Sequence, residues 1–491
     1  MNIRLVESSW ETTECDALII PMFEDEEMTE SFPAALNERL SGLLEELKNT
    51  EEWKAKPGEM TVLYRPNQLK AARLILLGAG KIDSYDSHSI RTLIMQAVRK
   101  VKGYNLKRVA VFRRSQVQPT LAAQAAVEGV VLATYDGDDY KTEGRSKNFI
   151  EEILFLTDQQ LETDEVEKAL KRGQILAEAT NLARRLANEP ANQFNPSRLA
   201  EFARETAEKY GLEVEILGEP EMEEREMAAI LAVAQGSDEP ARFIVLKHFG
   251  ASNPEAPPIV LVGKGVTFDS GGLSLKPSQS MEEMKYDKAG ACAVLAAIQA
   301  IAQLQIKKNV VALIPAVENL PSGRAQRPGD VIRSMSGKTI EVINTDAEGR
   351  LILADALHFG RQLQAEYMVD VATLTGACVV ALGRVRAGLF SNDDKLCKKL
   401  LQAGERAGEK FWQLPLDDEY REEIETQIAD VKNVGGRWGG AIIAAKFLQE
   451  FVGDIPWCHI DIAGVDLFQK GQPAKGPTGF GVRTLVEMVD S

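Results

Sequence analysis

The chain has 491 residues, 44% of them apolar, and single hydrophobic cores stop growing well short of this length, so two domains are expected. Lysine and arginine total 57 against 73 aspartates and glutamates, and the net charge of -16 opposes binding to nucleic-acid phosphates or anionic lipid. No window pairs a charged start with the apolar run of a signal peptide, and no stretch of about 18 unbroken apolar residues occurs, so a cytoplasmic protein with no membrane partner is expected.

Residues 1–160 alternate the β-rich runs Ala17–Phe23, Arg73–Leu77, Arg108–Phe112 and Ile150–Leu156 with the helical patterns Arg91–Lys102 and Leu121–Thr134. They read as a smaller N-terminal α/β domain. Gly78-Ala79-Gly80 lacks the spacing of either a dinucleotide or a Walker loop, so no nucleotide is indicated. Residues 161–188 read as a connecting helix, because Leu176, Ala179, Ala183 and Leu186 recur at three- or four-residue steps. The prolines and asparagines of NEPANQFNP then signal a turn. In residues 189–491 the runs Arg242–Lys247, Ile259–Phe268, Val310–Val317, Thr339–Ile343 and Tyr367–Thr373 alternate with helical stretches. Most of these runs are apolar throughout, which predicts a larger α/β/α domain whose sheet is covered on both faces.

Five scattered cysteines without CxxC spacing predict neither a disulfide framework nor a thiolate metal site; they read as reduced and mostly buried. None of the four histidines pairs at the spacing of an HExxH helix, so any metal must be held by carboxylates.

Ligands of such sheets collect beyond the carboxyl ends of the strands. There the segment GKGVTFDSGGLSLK places Lys264, Asp269 and Lys276 around a glycine-rich loop, MEEMKYDKAG supplies Asp287, and NTDAEGRL supplies Asp346, Glu348 and Arg350. Four carboxylates match the charge of two divalent cations, and oxygen ligands suit magnesium, manganese or zinc. Each piece also has an ordinary structural reading. Asn344, Thr345 and Asp346 could cap a helix starting near Ala347, Asp269-Ser270-Gly271-Gly272 could be a plain turn, and Asp287 a solvated helix start. Capping accounts neither for Arg350 nor for the matching acids after another strand. His358 and His459 read as structural histidines, and the segments of Trp438 and Trp457 as core or interface.

NTDAEGRL at 344–351, VGKGVTFDSGGLSLK at 262–276 and MKYD at 284–287 together closely resemble the signature of the leucyl aminopeptidase family, also called cytosol aminopeptidases. The similarity extends to LANEPANQFNP at 186–196, VATLTGA at 371–377, ADVKNVGGR at 429–437, HIDIAG at 459–464 and GPTGFGVRTL at 476–485. One departure is Lys288 in DKAGACAV, where relatives carry methionine after the aspartate. The resemblance implies an α/β fold with a mixed central sheet in the catalytic domain, and a metal-dependent exopeptidase releasing leucine and other residues from peptides with a free N-terminus. It implies two metal ions per subunit, Mn2+ or Zn2+ with Mg2+ or Co2+ as further candidates, held by Lys264, Asp269, Asp287, Asp346 and Glu348. Asp269 and Glu348 would bridge both ions, Lys264 and Asp287 would complete the tighter site, and Asp346 the looser one. It further implies that Lys276 and Arg350 are catalytic, that Arg350 holds a bicarbonate ion, and that the protein is a homohexamer.

The chemistry fits these residue types. A lysine coordinates a cation only as the neutral amine, so Lys264 must be protonated without metal and deprotonated with it. Lys276 must stay protonated to stabilise a tetrahedral oxyanion. Arg350 holds its proton at any usable pH and so cannot be a base. The rival readings are a scaffold or DNA-binding protein on the same fold, opposed by the acidic balance, and a two-metal phosphoesterase, which calls for more arginines than Arg350 near the carboxylates.

Overall fold

The computed structural model describes residues 1–114, 117–145, 150–157, 163–468 and 475–491. The chain divides into two compact units that meet in sequence between Glu178 and Ala179, inside the helix Thr163–Asn188. The architecture is two-domain mixed α/β.

The first unit holds strands β1 (Asn2–Val6), β2 (Ala17–Met22), β3 (Met60–Tyr64), β4 (Arg73–Gly78), β5 (Arg108–Phe112) and β6 (Glu152–Leu156) in one sheet of order β1-β6-β5-β2-β4-β3. All pairings are parallel except β3 with β4. The central strands are nearly all buried, and their side chains alternate between two cores. Ile19, Ile75, Leu77 and Val111 pack with the helices Ser87–Val101 and Pro119–Ala133, whereas Leu18, Ile20, Leu76 and Ala110 pack with Leu36, Leu44 and Trp53. The sequence reading lacked β1 and β3. Both are edge strands with little fully buried surface, so neither shows the unbroken apolar run of the inner strands.

The second unit contains β7 (Glu213–Leu217), β8 (Arg242–Phe249), β9 (Ile259–Gly263), β10 (Gly265–Asp269), β11 (Asn309–Asn319), β12 (Val331–Arg333), β13 (Thr339–Glu341), β14 (Tyr367–Ala372), β15 (Ala387–Ser391), β16 (Phe411–Gln413), β17 (Val431–Lys432) and β18 (Trp457–Asp461). Its mixed nine-stranded sheet runs β16-β15-β18-β14-β9-β11-β8-β7, with β10 beside β11. The helices Ala289–Gln303 and Gly349–Gln362 both contact β9, β11 and β14, from opposite faces. Val260 and Val262 point into the core that contains Leu351, Leu353 and Leu357 of the second helix. On the other face, a Cβ on Gly263 would lie 2.7 Å from Ala291 Cα of the first, so the glycine permits the close approach.

Two expectations change. The single strand predicted over Ile259–Phe268 is two, because the chain steps aside at Lys264: β9 lies between β14 and β11, while β10 pairs with β11 alone, further along it. The strand that leads into NTDAEGRL is not part of the central sheet. β13 belongs to a separate three-stranded sheet of order β12-β13-β17, so Asp346 and Glu348 reach the site from outside the main sheet.

Candidate functional site

Lys264 occupies the step between β9 and β10 and is 3% exposed. Its N–H donates to Val371 O at 3.1 Å and its carbonyl accepts from Ala291 N at 2.9 Å, which fixes the backbone between β14 and the helix behind it. The side chain runs to Asp287 Oδ1 at 2.8 Å, Glu348 Oε1 at 2.9 Å and Thr373 O at 3.0 Å. Asp269 ends β10 beside Asn319 at the end of β11. Its Oδ1 accepts from Asn319 Nδ2 at 2.8 Å and from Gly271 N at 2.9 Å, and its Oδ2 lies 2.7 Å from Lys276 Nζ. The loop between them turns through Gly271 and Gly272, both with positive φ, 88° and 66°. That turn folds Lys276 back so that its ammonium meets both Asp269 and Asp346.

Asp287 follows the short 3₁₀ segment Met281–Tyr286, and its Oδ1 also accepts from Thr373 Oγ1 at 2.7 Å. Among the described residues, Asp269, Asp346 and Glu348 each offer an oxygen within 4.8 Å of the others, and Lys264 ties Asp287 to Glu348. The seven residues singled out in the sequence are thus placed as four interleaved carboxylates, two lysines among them, and Arg350 behind. Arg350 is buried, with one terminal nitrogen donating to Asn433 O at 2.7 Å. The cluster opens into a cavity of about 250 Å³ lined by Lys264, Lys276, Asp287, Asp346 and Glu348 among others.

One local expectation needs correction. The helix begins at Gly349, not near Ala347, and no side chain of Asn344, Thr345 or Asp346 caps it; Asn344 Oδ1 accepts instead from Asp346 N at 2.9 Å. Glu348 stands at the N-cap position without a capping bond, because its carboxylate turns into the site. Lys288, the departure beside Asp287, does not line the cavity. It is fully buried and donates to Glu189 O at 2.8 Å and to Lys285 O, clamping the turn after the long helix onto the 3₁₀ segment. Burial pushes its amine down to about 8.

The electrostatics are those of crowded anions. Burial first, then neighbouring Glu348 and Asp269, hold Asp287 well above the usual carboxylate range against the pull of Lys264. Burial and Asp269 raise Glu348, and burial raises Asp346. For Lys264 burial disfavours the charge, yet Asp287, Glu348 and Asp269 more than offset it and keep the amine above its ordinary value; Lys276 is raised in the same way. Burial lowers Arg350 to about 10.

Residues overlooked in the sequence are the supports. Thr373 serves Lys264 and Asp287 together. Asn319 ties Asp269 to Thr345 O at 3.0 Å. The amide of Asn433 accepts from Ile343 N at 2.8 Å and donates to Asn344 O at 2.7 Å, so it holds the NTDAEGRL turn. A polar residue closing an apolar strand, as Asn319 does in AVEN, was the available signal. Of the histidines, His459 is fully buried with Nδ1 2.6 Å from Asp370 Oδ1, and Trp457 Nε1 donates to the same carboxylate. The five cysteines are free and buried. Trp438, by contrast, is 77% exposed.

Residues 181–486 match the family model "Cytosol aminopeptidase family, catalytic domain", and residues 19–144 match the corresponding N-terminal domain. The chain belongs to the cytosol aminopeptidase family. It is accordingly a peptidase, and its activity is that of an aminopeptidase. A probable cytosol aminopeptidase of Solibacter usitatus is 47% identical across 97% of this chain and 96% of its own length. One from Alkaliphilus oremlandii is 43% identical across 100% and 99%. Among solved structures, a mutant of tomato leucine aminopeptidase superposes with a TM-score of 0.91 at 34% identity, covering 100% of this chain and 96% of that one. The bottromycin maturation enzyme BotP in complex with Mn gives 0.84 at 34% identity, covering 97% and 99%.

Whether this aminopeptidase's residues suit divalent ions can be judged from the donor set. Asp287 Oδ2 and Glu348 Oε2 are buried and accept no hydrogen bond, a state that costs each group its lost solvation. Both lysine ammonium groups sit where cations between carboxylates would sit, and the carboxylate charge exceeds what they neutralise. The donors are hard oxygens plus one amine. They fit.

Proposed function

We propose that this aminopeptidase is metal-dependent and removes leucine and other residues from peptides with a free N-terminus, using two divalent ions held by Lys264, Asp269, Asp287, Asp346 and Glu348. The observation that carries this reading is the interleaving of two lysines among four carboxylates with two buried oxygens left unpartnered. Asp269 and Glu348 would be shared between the ions, Lys264 and Asp287 would complete the tighter position, and Asp346 the looser. Mn2+ or Zn2+ is the first candidate, with Mg2+ and Co2+ behind; the Mn complex of BotP supports the first of these. When bound, such a pair supplies a water activated near neutral pH and a binding point for the free α-amine.

The chain's own residues do the rest. Lys264 would hold an ion as its neutral amine, its proton having passed to solvent. Lys276 keeps its proton and, released from Asp269 and Asp346 once their charge is neutralised, donates to the scissile carbonyl oxygen as negative charge builds there. Arg350 holds an anion, bicarbonate in this reading, beside the start of the helix Gly349–Gln362, whose N-terminus favours negative charge. Held there, such an anion would supply proton transfer to the leaving amine. A cytoplasmic homohexamer belongs to the same reading; among the described residues no helix is long and apolar enough to cross a membrane.

The test strips the protein with chelator, reloads it with Mn2+, Zn2+, Mg2+ or Co2+, and compares leucine p-nitroanilide with p-nitrophenyl phosphate. Amide cleavage restored by metal is expected. Undiminished turnover by the metal-free protein would sink the two-metal reading, and phosphate-ester cleavage alone would favour the phosphoesterase.

A further inference from the structure

The cavity beside the carboxylate cluster carries charge that the cluster does not use. Its lining also includes Met284, Val379 and Leu467, which are apolar, together with Glu283, Arg384 and Asp466. Asp466 lies in the turn after β18. Its N–H donates to Ile462 O at 3.0 Å and its carbonyl accepts from Thr478 N at 2.8 Å, so the backbone is fixed and the carboxyl is held at the cavity wall. Among the described residues, no basic side chain ion-pairs with this carboxyl. Burial, with Glu283 and Asp461 nearby, pushes it up to about 7 against its own N–H and Arg384. Arg384 lines the same cavity and acts on this carboxyl without pairing with it, so a cation that arrives with the substrate and pairs directly stabilises it most.

We propose that the cavity selects peptides whose N-terminal residue is lysine or arginine, the aliphatic stem lying along Met284 and Leu467 and the cationic head meeting Asp466. The stem and head of these side chains match an apolar wall ending in an acid, which a leucine side chain would leave unpaired. This rests on the aminopeptidase reading of the neighbouring cluster, since it assigns the cavity to the residue that precedes the cleaved bond.

The experiment uses the full-length protein loaded with Mn2+ and measures kcat/KM for lysyl-, arginyl-, leucyl- and glutamyl-p-nitroanilide. In the unaltered protein the two basic substrates are expected to exceed leucyl. In Asp466→Asn and Asp466→Met the lysyl-to-leucyl ratio is expected to fall about tenfold or more. In Asp466→Lys the glutamyl-to-leucyl ratio is expected to rise. Melting temperature checks that each variant is folded, and either neutral variant suffices for the comparison. Leucyl preference in the unaltered protein, or a ratio unmoved by both neutral variants, overturns the inference while leaving the aminopeptidase reading intact. Absence of cleavage of all four substrates overturns both.

Discussion

Gly349 packs directly on the Lys264 side chain: a Cβ at 349 would stand 2.6 Å from Lys264 Cε and 2.7 Å from Nζ. The glycine of NTDAEGRL is therefore what lets the first turn of a helix close over the amine that joins Asp287 to Glu348. Gly349→Ala is expected to leave the fold intact, since alanine favours helices, but to push Nζ aside. Displacement on the scale of an ångström predicts a loss in kcat/KM of about 10²-fold. Wild-type rates in this variant would show that the contact is not needed.

In the two-metal proposal, the same amine makes metal uptake a proton-releasing event. Without metal, burial opposes the charge on Lys264, yet Asp287, Glu348 and Asp269 keep it protonated beyond its ordinary range. For folding, a raised lysine contributes stability that is fully present below about 10.4 and is lost only as pH climbs past the folded-state value. For metal binding the sign is opposite: the proton must leave, so affinity rises with pH. Calorimetry in buffers of different ionisation enthalpy should find at least one proton released per subunit, and fewer for Lys264→Ala. Equal release from the two proteins would contradict the assignment of Lys264 as a ligand.

Asn433 is expected to matter almost as much as an acid of the cluster, although it does not touch one. Its amide bonds Ile343 N and Asn344 O, and its carbonyl takes the Arg350 guanidinium. Asn433→Ala leaves Ile343 N and Asn344 O without this partner, while the backbone carbonyl that holds Arg350 remains, and should destabilise the protein by about 1–3 kcal/mol. Loosening the NTDAEGRL turn should also lower kcat more than it raises KM. Urea denaturation and steady-state kinetics check the two effects separately, and an unchanged midpoint would remove the structural role given to the residue.

Asp355 supplies a pH dependence away from the site. Burial pushes its carboxyl up to about 7, against three N–H donors: Met335 at 2.7 Å, Ala229 at 2.9 Å and Ile230 at 3.1 Å. Because the folded value lies above the unfolded one of about 3.9, the native state binds more protons between them, and this group's contribution to stability falls as pH rises from about 4 to 7. Asp355→Ala should cost about 3 kcal/mol near pH 5, where three donors lose their acceptor. The cost should shrink by pH 9, where the unaltered protein bears the buried charge. A difference that grows with pH would reverse the sign and refute this account.

The sequence by itself determined the two-part α/β organisation, because buried strands such as Leu74–Leu77 and Val260–Val262 must be apolar on both faces and say so in one dimension. It also carried the charged residues of NTDAEGRL and DSGGLSLK, whose types are unusual enough at those spacings to stand out beside ordinary caps and turns. Edge strands β1 and β3 stayed silent, since short half-solvated strands lack the unbroken apolar run of the inner ones. Only the tertiary structure decided that NTDAEGRL arrives from a separate small sheet, that Lys264 breaks one apolar run into two strands, and that Lys288 turns away from the cavity while Asp466 faces it. Those outcomes depend on which backbone groups meet across tens to hundreds of residues, as Lys264 N meets Val371 O and Lys288 Nζ meets Glu189 O. Local residue preferences carry no record of such meetings, because a lysine buried under three carbonyl and carboxylate acceptors has the same one-letter identity as one in water.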